Sequence, residues 1–221
     1  MIDEILAALQ KRSNTEYADK MSAYMRGNFD YFGLRADERK AVQKEFFPQM
    51  NTEIEVEKRW DNVRELWEKP KRECLYFALD WVNNFKPKTL RIDDIDEIHF
   101  LLTNQSWWDS VDSIASNILG EYNKQFSGNQ SVWINEWRES DDFWLRRSCI
   151  IFQLKYKNET DFELLKSLVK ENKFDKEFFI QKAIGWSLRQ YAKYQPDLVK
   201  EFVEKENLQG LAKREALKHY K

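Results

Sequence analysis

A repeat in the second half of the chain is the feature that most constrains its fold. Residues 144–156 align with residues 179–191 at a shift of 35 residues, which places Arg147 on Lys182. The same shift backwards places Asp112 under Arg147. A period of this length is typical of two-helix repeats, in which stacked neighbours bury a continuous core. Chance similarity between aromatic-rich amphipathic helices is the alternative, and the agreement of the two shifts argues against it.

The pattern of apolar residues indicates helices throughout. Apolar residues recur three and four positions apart, and only six Gly and four Pro interrupt them. We therefore expect helices of about 12 to 18 residues joined by short turns. Breaks are predicted near Gly27, Gly33, Pro48, Pro70, Pro87, Ser127-Gly128 and Pro196.

The predicted fold is all-α: a superhelical solenoid of antiparallel helix pairs, or HEAT-like repeats, with a concave surface. No low-complexity or Pro/Gly/Ser-rich linker divides the chain, so residues 1–221 are expected to form a single domain. The small number of Gly and Pro and the high aromatic content argue against an all-β fold. Four tryptophans at helical spacing are expected in the core, namely Trp60, Trp67, Trp81 and Trp144.

The few residues able to bind metal or form disulfides indicate neither. Cys74 and Cys149 lie among large apolar neighbours and are expected to be buried thiols. Only His99 and His219 accompany them, so metal-ligand spacing is absent. We expect no metal and no cofactor.

The charge and hydropathy patterns bear on location and partners. The chain has no run of about 18 apolar residues and begins without a basic, apolar leader, so a cytoplasmic protein that does not bind membranes is expected. Its net charge of −2 argues against a uniformly basic coat, yet 36 Lys and Arg leave material for a local basic surface. A monomer is the default expectation.

The repeat predicts a row of charges along one surface. Equivalent positions of successive repeats align, so Asp112, Arg147 and Lys182 are expected to follow one another. Trp108 lies four residues before Asp112 and Trp186 four residues after Lys182, so each shares that face. A basic, aromatic surface suits nucleic acid, whereas a carboxylate there would repel phosphates and suggests stabilisation of positive charge.

Ordinary explanations exist for each part of this surface. Tryptophans at helical spacing are more often core residues, and a row of cations can be a solvated helix face. Asp112 alone would more often be a surface charge or a partner of Arg147 than a catalyst.

At these residues the chain closely resembles the AlkD family of bacterial DNA alkylation repair glycosylases. The central matches are long and specific, and weaker ones extend the resemblance over almost the entire chain. The matching stretches lie within Ser106–Ile114, Trp144–Lys157 and Lys176–Lys193, with weaker matches at Tyr24-Met25, Phe32-Gly33, Arg214–Ala216 and Lys218-His219.

The resemblance implies a HEAT-like solenoid that holds double-stranded DNA and excises alkylated bases such as 3-methyladenine and 7-methylguanine, as in base excision repair. Asp112 matches the family's catalytic carboxylate, and Trp108 and Trp186 match two rings that embrace the deoxyribose of the lesion. Arg147 matches a basic residue important for activity and DNA contact. The chemistry needs only water.

Tyr24 and Arg189 are looser matches to the family and, with Lys182 from the predicted row, are candidate DNA-binding residues. One alternative is a catalytically silent DNA-binding HEAT-repeat protein. Another is a protein-binding HEAT scaffold, which would carry an apolar or acidic concave surface.

Overall fold

The computed structural model describes residues 1–220, and the regular secondary structure of these residues is helical. Within that range no strand forms, and one isolated bridge joins Asp30 to Lys71. The prediction of an all-α fold is therefore confirmed. None of the helices in residues 1–220 combines the length and apolar character needed to span a membrane.

The chain divides into two compact units, Met1–Thr89 and the residues from Leu90 onward. In the first unit, α1 packs on α3, and α3 and α4 pack on α5. Short 3₁₀ turns occupy Val56–Lys58 and Pro87–Thr89. Its helices are α1 (Ile2–Gln10), α2 (Thr15–Tyr24), α3 (Ala36–Glu53), α4 (Arg59–Trp67) and α5 (Arg72–Asn83).

A buried carboxylate anchors the loop between α2 and α3. Glu73 on α5 is fully buried and accepts backbone N–H bonds from Phe32, Gly33 and Leu34, at 2.8 to 3.1 Å. Each bond to a charged acceptor contributes about 1.5–3 kcal/mol. Gly33 has a φ of +92° and approaches the first turn of α2, where an added Cβ would lie 2.0 Å from the Asn14 carbonyl oxygen.

The prediction of a break at Pro48 was wrong, because α3 runs through it from Ala36 to Glu53. A proline inside a helix costs about 3 kcal/mol or more through the lost hydrogen bond and the ring clash. Val42, Phe46 and Met50 are all buried and form one stripe that continues past the proline. Their packing offsets the cost.

The second unit contains nine α-helices within its described residues, 90–220. Most are shorter than the 12 to 18 residues expected. A π-helical segment, Ile114–Leu119, joins α7 directly to α8, and 3₁₀ turns occupy Ser127–Asn129 and Lys157–Glu159. The helices are α6 (Asp94–Thr103), α7 (Trp108–Ser113), α8 (Gly120–Gln125), α9 (Gln130–Arg138), α10 (Phe143–Ile151), α11 (Phe162–Asn172), α12 (Phe178–Ala192), α13 (Pro196–Lys205) and α14 (Gly210–Ala216).

Helix pairs stack in this second unit. α10 packs on α9 and α11, and also on α7 and α12, while α12 packs on α13 and α14. The Ser187 hydroxyl on α12 donates to the Ile150 carbonyl on α10 at 2.8 Å. Contact between the second helices of successive pairs is the arrangement of a helical repeat, as the 35-residue shift predicts.

The buried residues agree with the expected core. Trp60, Trp67, Trp81 and Trp144 are all buried, and so are the thiols of Cys74 and Cys149. Burial raises the pKa of Cys74 to about 12, so this thiol stays protonated and unreactive at neutral pH.

Gly33→Ala should lower the free energy of unfolding by more than Gly27→Ala, as measured by denaturant titration. Both glycines have positive φ, which costs an L-residue about 1–2 kcal/mol. At Gly33 an added Cβ would also meet backbone atoms, which adds roughly 1–3 kcal/mol of overpacking. At Gly27 an added Cβ would have no neighbouring atom within 4 Å. Equal losses at the two positions would contradict this close approach.

Candidate active site

An ion pair between α7 and α10 forms the centre of the candidate site. Arg147 donates from Nε to Asp112 Oδ1 at 2.8 Å and from Nη2 to Asp112 Oδ2 at 2.9 Å. Its Nη1 donates to the carbonyl oxygen of Phe179 in the first turn of α12. The prediction that Asp112 and Arg147 lie side by side is confirmed, and one guanidinium joins three helices.

The two partners differ in exposure. Arg147 is 3% exposed, whereas the Asp112 side chain keeps 20% of its surface open. Burial raises the pKa of Asp112 above the usual aspartate range, with the Arg147 hydrogen bonds and charge opposing this effect and the charge of Asp109 adding to it. The buried guanidinium therefore bonds to the carboxylate from the protein interior, and the exposed part of Asp112 faces solvent.

The helix changes its winding just after Asp112. The π-helical segment Ile114–Leu119 begins two residues later, and the Ser116 hydroxyl donates to the Asp112 carbonyl at 2.6 Å. Single-turn π segments inside α-helices occur frequently at functional sites because the wider turn re-aims nearby side chains.

The neighbouring tryptophans have different surroundings. The Trp107 ring packs against Trp144 and Phe179, with centroid distances of 5.9 and 5.3 Å. Trp108 begins α7, one turn before Asp112, and is half-buried. Trp107 precedes α7 as its N-cap and has an extended backbone, with φ of −156° and ψ of 162°. Trp186 on α12 is also half-buried.

Lys182 and Arg189 share a partner that the sequence argument missed. Glu215 on α14 bonds to Lys182 Nζ at 3.0 Å through Oε1 and to Arg189 Nη1 at 2.5 Å through Oε2. Arg189 also donates to the Glu215 backbone carbonyl at 2.9 Å. Lys182, which was expected to continue the row of charges after Arg147, is thus paired with a carboxylate of the same chain.

A sequence signal for Glu215 does exist. Lys182 precedes it by 33 residues, and Arg138 and Lys173 precede their ion-pair partners, Glu171 and Glu206, by the same interval. A search for a cation followed by a carboxylate at roughly the repeat length would have found all three pairs.

Tyr24 belongs to the first unit, where it ends α2 and is 71% exposed. Lys182, Trp186 and Arg189 all lie on α12 in the second unit. Within residues 1–220, no group of three or more His, Cys, Asp or Glu side chains is placed to hold a metal ion.

The fold and site define an all-helical repeat protein with a supported, outward-facing carboxylate beside aromatic and basic side chains. The chain belongs to the DNA alkylation repair enzyme family, whose model matches residues 5–220. A search of the curated proteins finds no significant match.

A solved structure agrees with this assignment. The chain is similar to a predicted DNA alkylation repair enzyme from Enterococcus faecalis, with 33% sequence identity and a TM-score of 0.87. The match covers 94% of this chain and 96% of that one. The resemblance drawn from the sequence is confirmed, and a role in the repair of alkylated DNA follows.

Arg147→Met should lower the free energy of unfolding by about 3–5 kcal/mol at pH 7, because it leaves the Asp112 carboxylate without its partner. The loss should shrink towards pH 4. A raised pKa means that the folded state binds the proton more tightly, so stability falls as pH rises through this window. Without Arg147 the pKa rises further, which widens the window.

Denaturant titrations at several pH values measure this effect. Arg138→Met is the matched control, since Arg138 also pairs with one carboxylate, Glu171, which is 41% exposed. Its loss should be about 1 kcal/mol or less and vary little with pH. A pH-independent loss for Arg147→Met would contradict the account of Asp112.

Proposed function

We propose that the protein is a DNA glycosylase that hydrolyses the N-glycosidic bond of positively charged alkylated purines, such as 3-methyladenine and 7-methylguanine, in double-stranded DNA. The observation that carries this proposal is the geometry of the Asp112 carboxylate. Both of its oxygens accept hydrogen bonds from Arg147, while 20% of the side chain stays exposed to solvent. Membership of the DNA alkylation repair enzyme family supports it.

The chemistry requires one well-placed negative charge. A purine alkylated at N3 or N7 already carries a positive charge and leaves as a neutral base without protonation. As its bond to C1′ breaks, positive charge develops on the sugar, and a fixed carboxylate stabilises this oxocarbenium-like state. Water then adds to C1′ and gives up a proton, which leaves an abasic sugar and the free base.

The bond pattern of Asp112 suits this task. Each carboxylate oxygen can accept about two hydrogen bonds, and Arg147 occupies one site on each. The remaining sites can face the sugar or orient the attacking water. Because the side chain is fixed before substrate binds, little reorganisation is needed during the reaction.

The remaining predicted residues take supporting roles in this proposal. Trp108 and Trp186 would border the deoxyribose and add cation–π attraction of roughly 0.5–2 kcal/mol each. Tyr24, Lys182 and Arg189 would contact the DNA backbone. Arg147 is too deeply buried for a phosphate contact, so we assign it the positioning of Asp112.

A catalytically silent DNA-binding protein is the second candidate, and one observation favours it. The carboxylate of Asp112 is the counterion of a buried arginine, which by itself accounts for an acidic residue at this position.

Asp112→Asn should reduce the release of 7-methylguanine from methylated duplex DNA by at least about 10²-fold, the scale of losing one preorganised electrostatic group. DNA affinity should stay equal or rise, because a negative charge near the phosphates is removed. Base release and DNA binding are measured side by side, with thermal denaturation to verify folding.

Asp175→Asn is the matched control. Asp175 pairs with Arg146 at 2.9 Å and is 22% exposed, so it resembles Asp112 in exposure and in having an arginine partner, although only one Arg146 nitrogen bonds to it. We expect it to retain excision within a few-fold. Absence of release by the wild type, with DNA binding intact, would favour the silent binder, whereas loss of binding in Asp112→Asn would indicate a structural aspartate.

Lesion charge should decide which bases are released. A cationic 7-methylguanine needs no protonation, whereas hypoxanthine is neutral and needs a general acid to leave. Single-turnover assays on duplexes that differ only in this base should show release of 7-methylguanine and no measurable release of hypoxanthine. Comparable rates for the two bases would contradict the mechanism.

A further inference from the structure

Glu215 lies between two of the proposed DNA-binding cations. Lys182 and Arg189 are seven residues apart on α12, which places them on one face of the helix, two turns apart. The carboxylate bonds to Lys182 through one oxygen and to Arg189 through the other. One acidic side chain therefore engages both cations.

Close backbone packing fixes this carboxylate in place. α14 rests on α12 at Gly185, where an added Cβ would lie 2.4 Å from the Glu215 Cβ and 2.9 Å from the Ala212 carbonyl oxygen. A residue larger than glycine at this position would push α14 away. The absence of a side chain at Gly185 is thus what lets Glu215 approach both cations.

The three partners differ in their access to solvent. The Lys182 side chain is 39% exposed, whereas that of Arg189 is 20% and that of Glu215 only 13% exposed. Hydrogen bonds from Lys182 and then Arg189 lower the pKa of Glu215 to about 2, so its negative charge persists at any physiological pH. An approaching phosphate would reach Lys182 while the carboxylate remains beneath it.

We propose that Glu215 restrains the DNA affinity of this face of α12, by keeping Lys182 in an ion pair that offsets its charge when a phosphate approaches. The inference rests on the proposed binding of duplex DNA. Arg189, less exposed and bonded to both the side chain and the backbone carbonyl of Glu215, keeps the carboxylate in place beneath Lys182.

The physical reason lies in counterion release. A free lysine that reaches a phosphate releases a condensed cation from the DNA, and this release makes affinity depend on salt. A lysine whose charge is offset by Glu215 neutralises little of the phosphate charge, so it releases little or no condensed cation. The wild-type protein should therefore bind unmodified duplex more weakly than its basic residues would otherwise allow.

The chain contains a matched comparison in Glu206. This carboxylate also bonds to two cations, Lys170 at 3.4 Å and Lys173 at 3.0 Å, and its side chain is 14% exposed. Its cations come from α11 and the turn after it instead of from α12. Glu206→Gln therefore makes the same change in net charge and breaks the same type of cluster away from the face of α12.

The experiment measures binding of an unmodified DNA duplex to the full chain by fluorescence anisotropy over a range of salt concentrations. Glu215→Gln should bind more tightly at low salt. Its slope of log affinity against log salt should be steeper than that of the wild type by about 0.9, the value for one added phosphate contact. Glu206→Gln should keep the wild-type slope.

A double variant assigns the gain to one side chain. Adding Lys182→Met to Glu215→Gln should return the slope to the wild-type value, because the released lysine is then absent. Glu215→Asp, which keeps the charge but is one methylene too short to reach both cations, provides a second test if Glu215→Gln does not fold. Its slope should fall between the other two.

The outcomes separate this inference from the proposed function. An unchanged slope in Glu215→Gln, or an equal gain in Glu206→Gln, would overturn the inference while DNA binding by the wild type still stood. A wild-type protein that does not bind duplex DNA at low salt would remove the proposed function itself, and the inference with it.

Discussion

The packing of the second unit depends on the buried guanidinium of Arg147. A buried charge without a partner costs several kcal/mol, so α7 and α12 must present acceptors to the Arg147 guanidinium. Asp112 supplies two oxygens and the Phe179 carbonyl a third. Because these acceptors are needed for folding, the carboxylate at the candidate site is held rigidly before any substrate arrives. In the proposed mechanism, stability and catalysis thus require the same geometry.

Carboxylates of neighbouring repeats neutralise many of the basic residues in the second unit. Glu215, Glu206 and Glu171 each bond to cations that precede them by 33 residues. The net charge of −2 follows from 38 Asp and Glu against 36 Lys and Arg, and the pairing shows where some of these carboxylates lie in a chain whose family repairs alkylated DNA. We therefore propose that DNA affinity depends less on the number of cations than on which of them are paired with carboxylates of the same chain.

The sequence predicted more of the fold than of the electrostatics. Apolar periodicity was sufficient for the all-α class, and the 35-residue shift correctly placed Asp112 beside Arg147. The local rule for proline failed at Pro48, because the packing of Phe46 and Met50 exceeds the local cost. Helix lengths were overestimated, because the loops between helices leave few marks in the pattern of apolar residues.

By itself, the sequence determined the helical class, the repeat and the family, because these depend on periodicity and on long motifs that are visible in the order of the residues. Only the tertiary structure decided which charged side chains are buried and which are paired with another side chain of the protein. Arg147 is buried and Lys182 is held by Glu215, although both are ordinary cations in the sequence. The physical reason is that a charge acts through its distance and exposure, and both are set by the packing of helices that lie 30 or more residues apart in the chain.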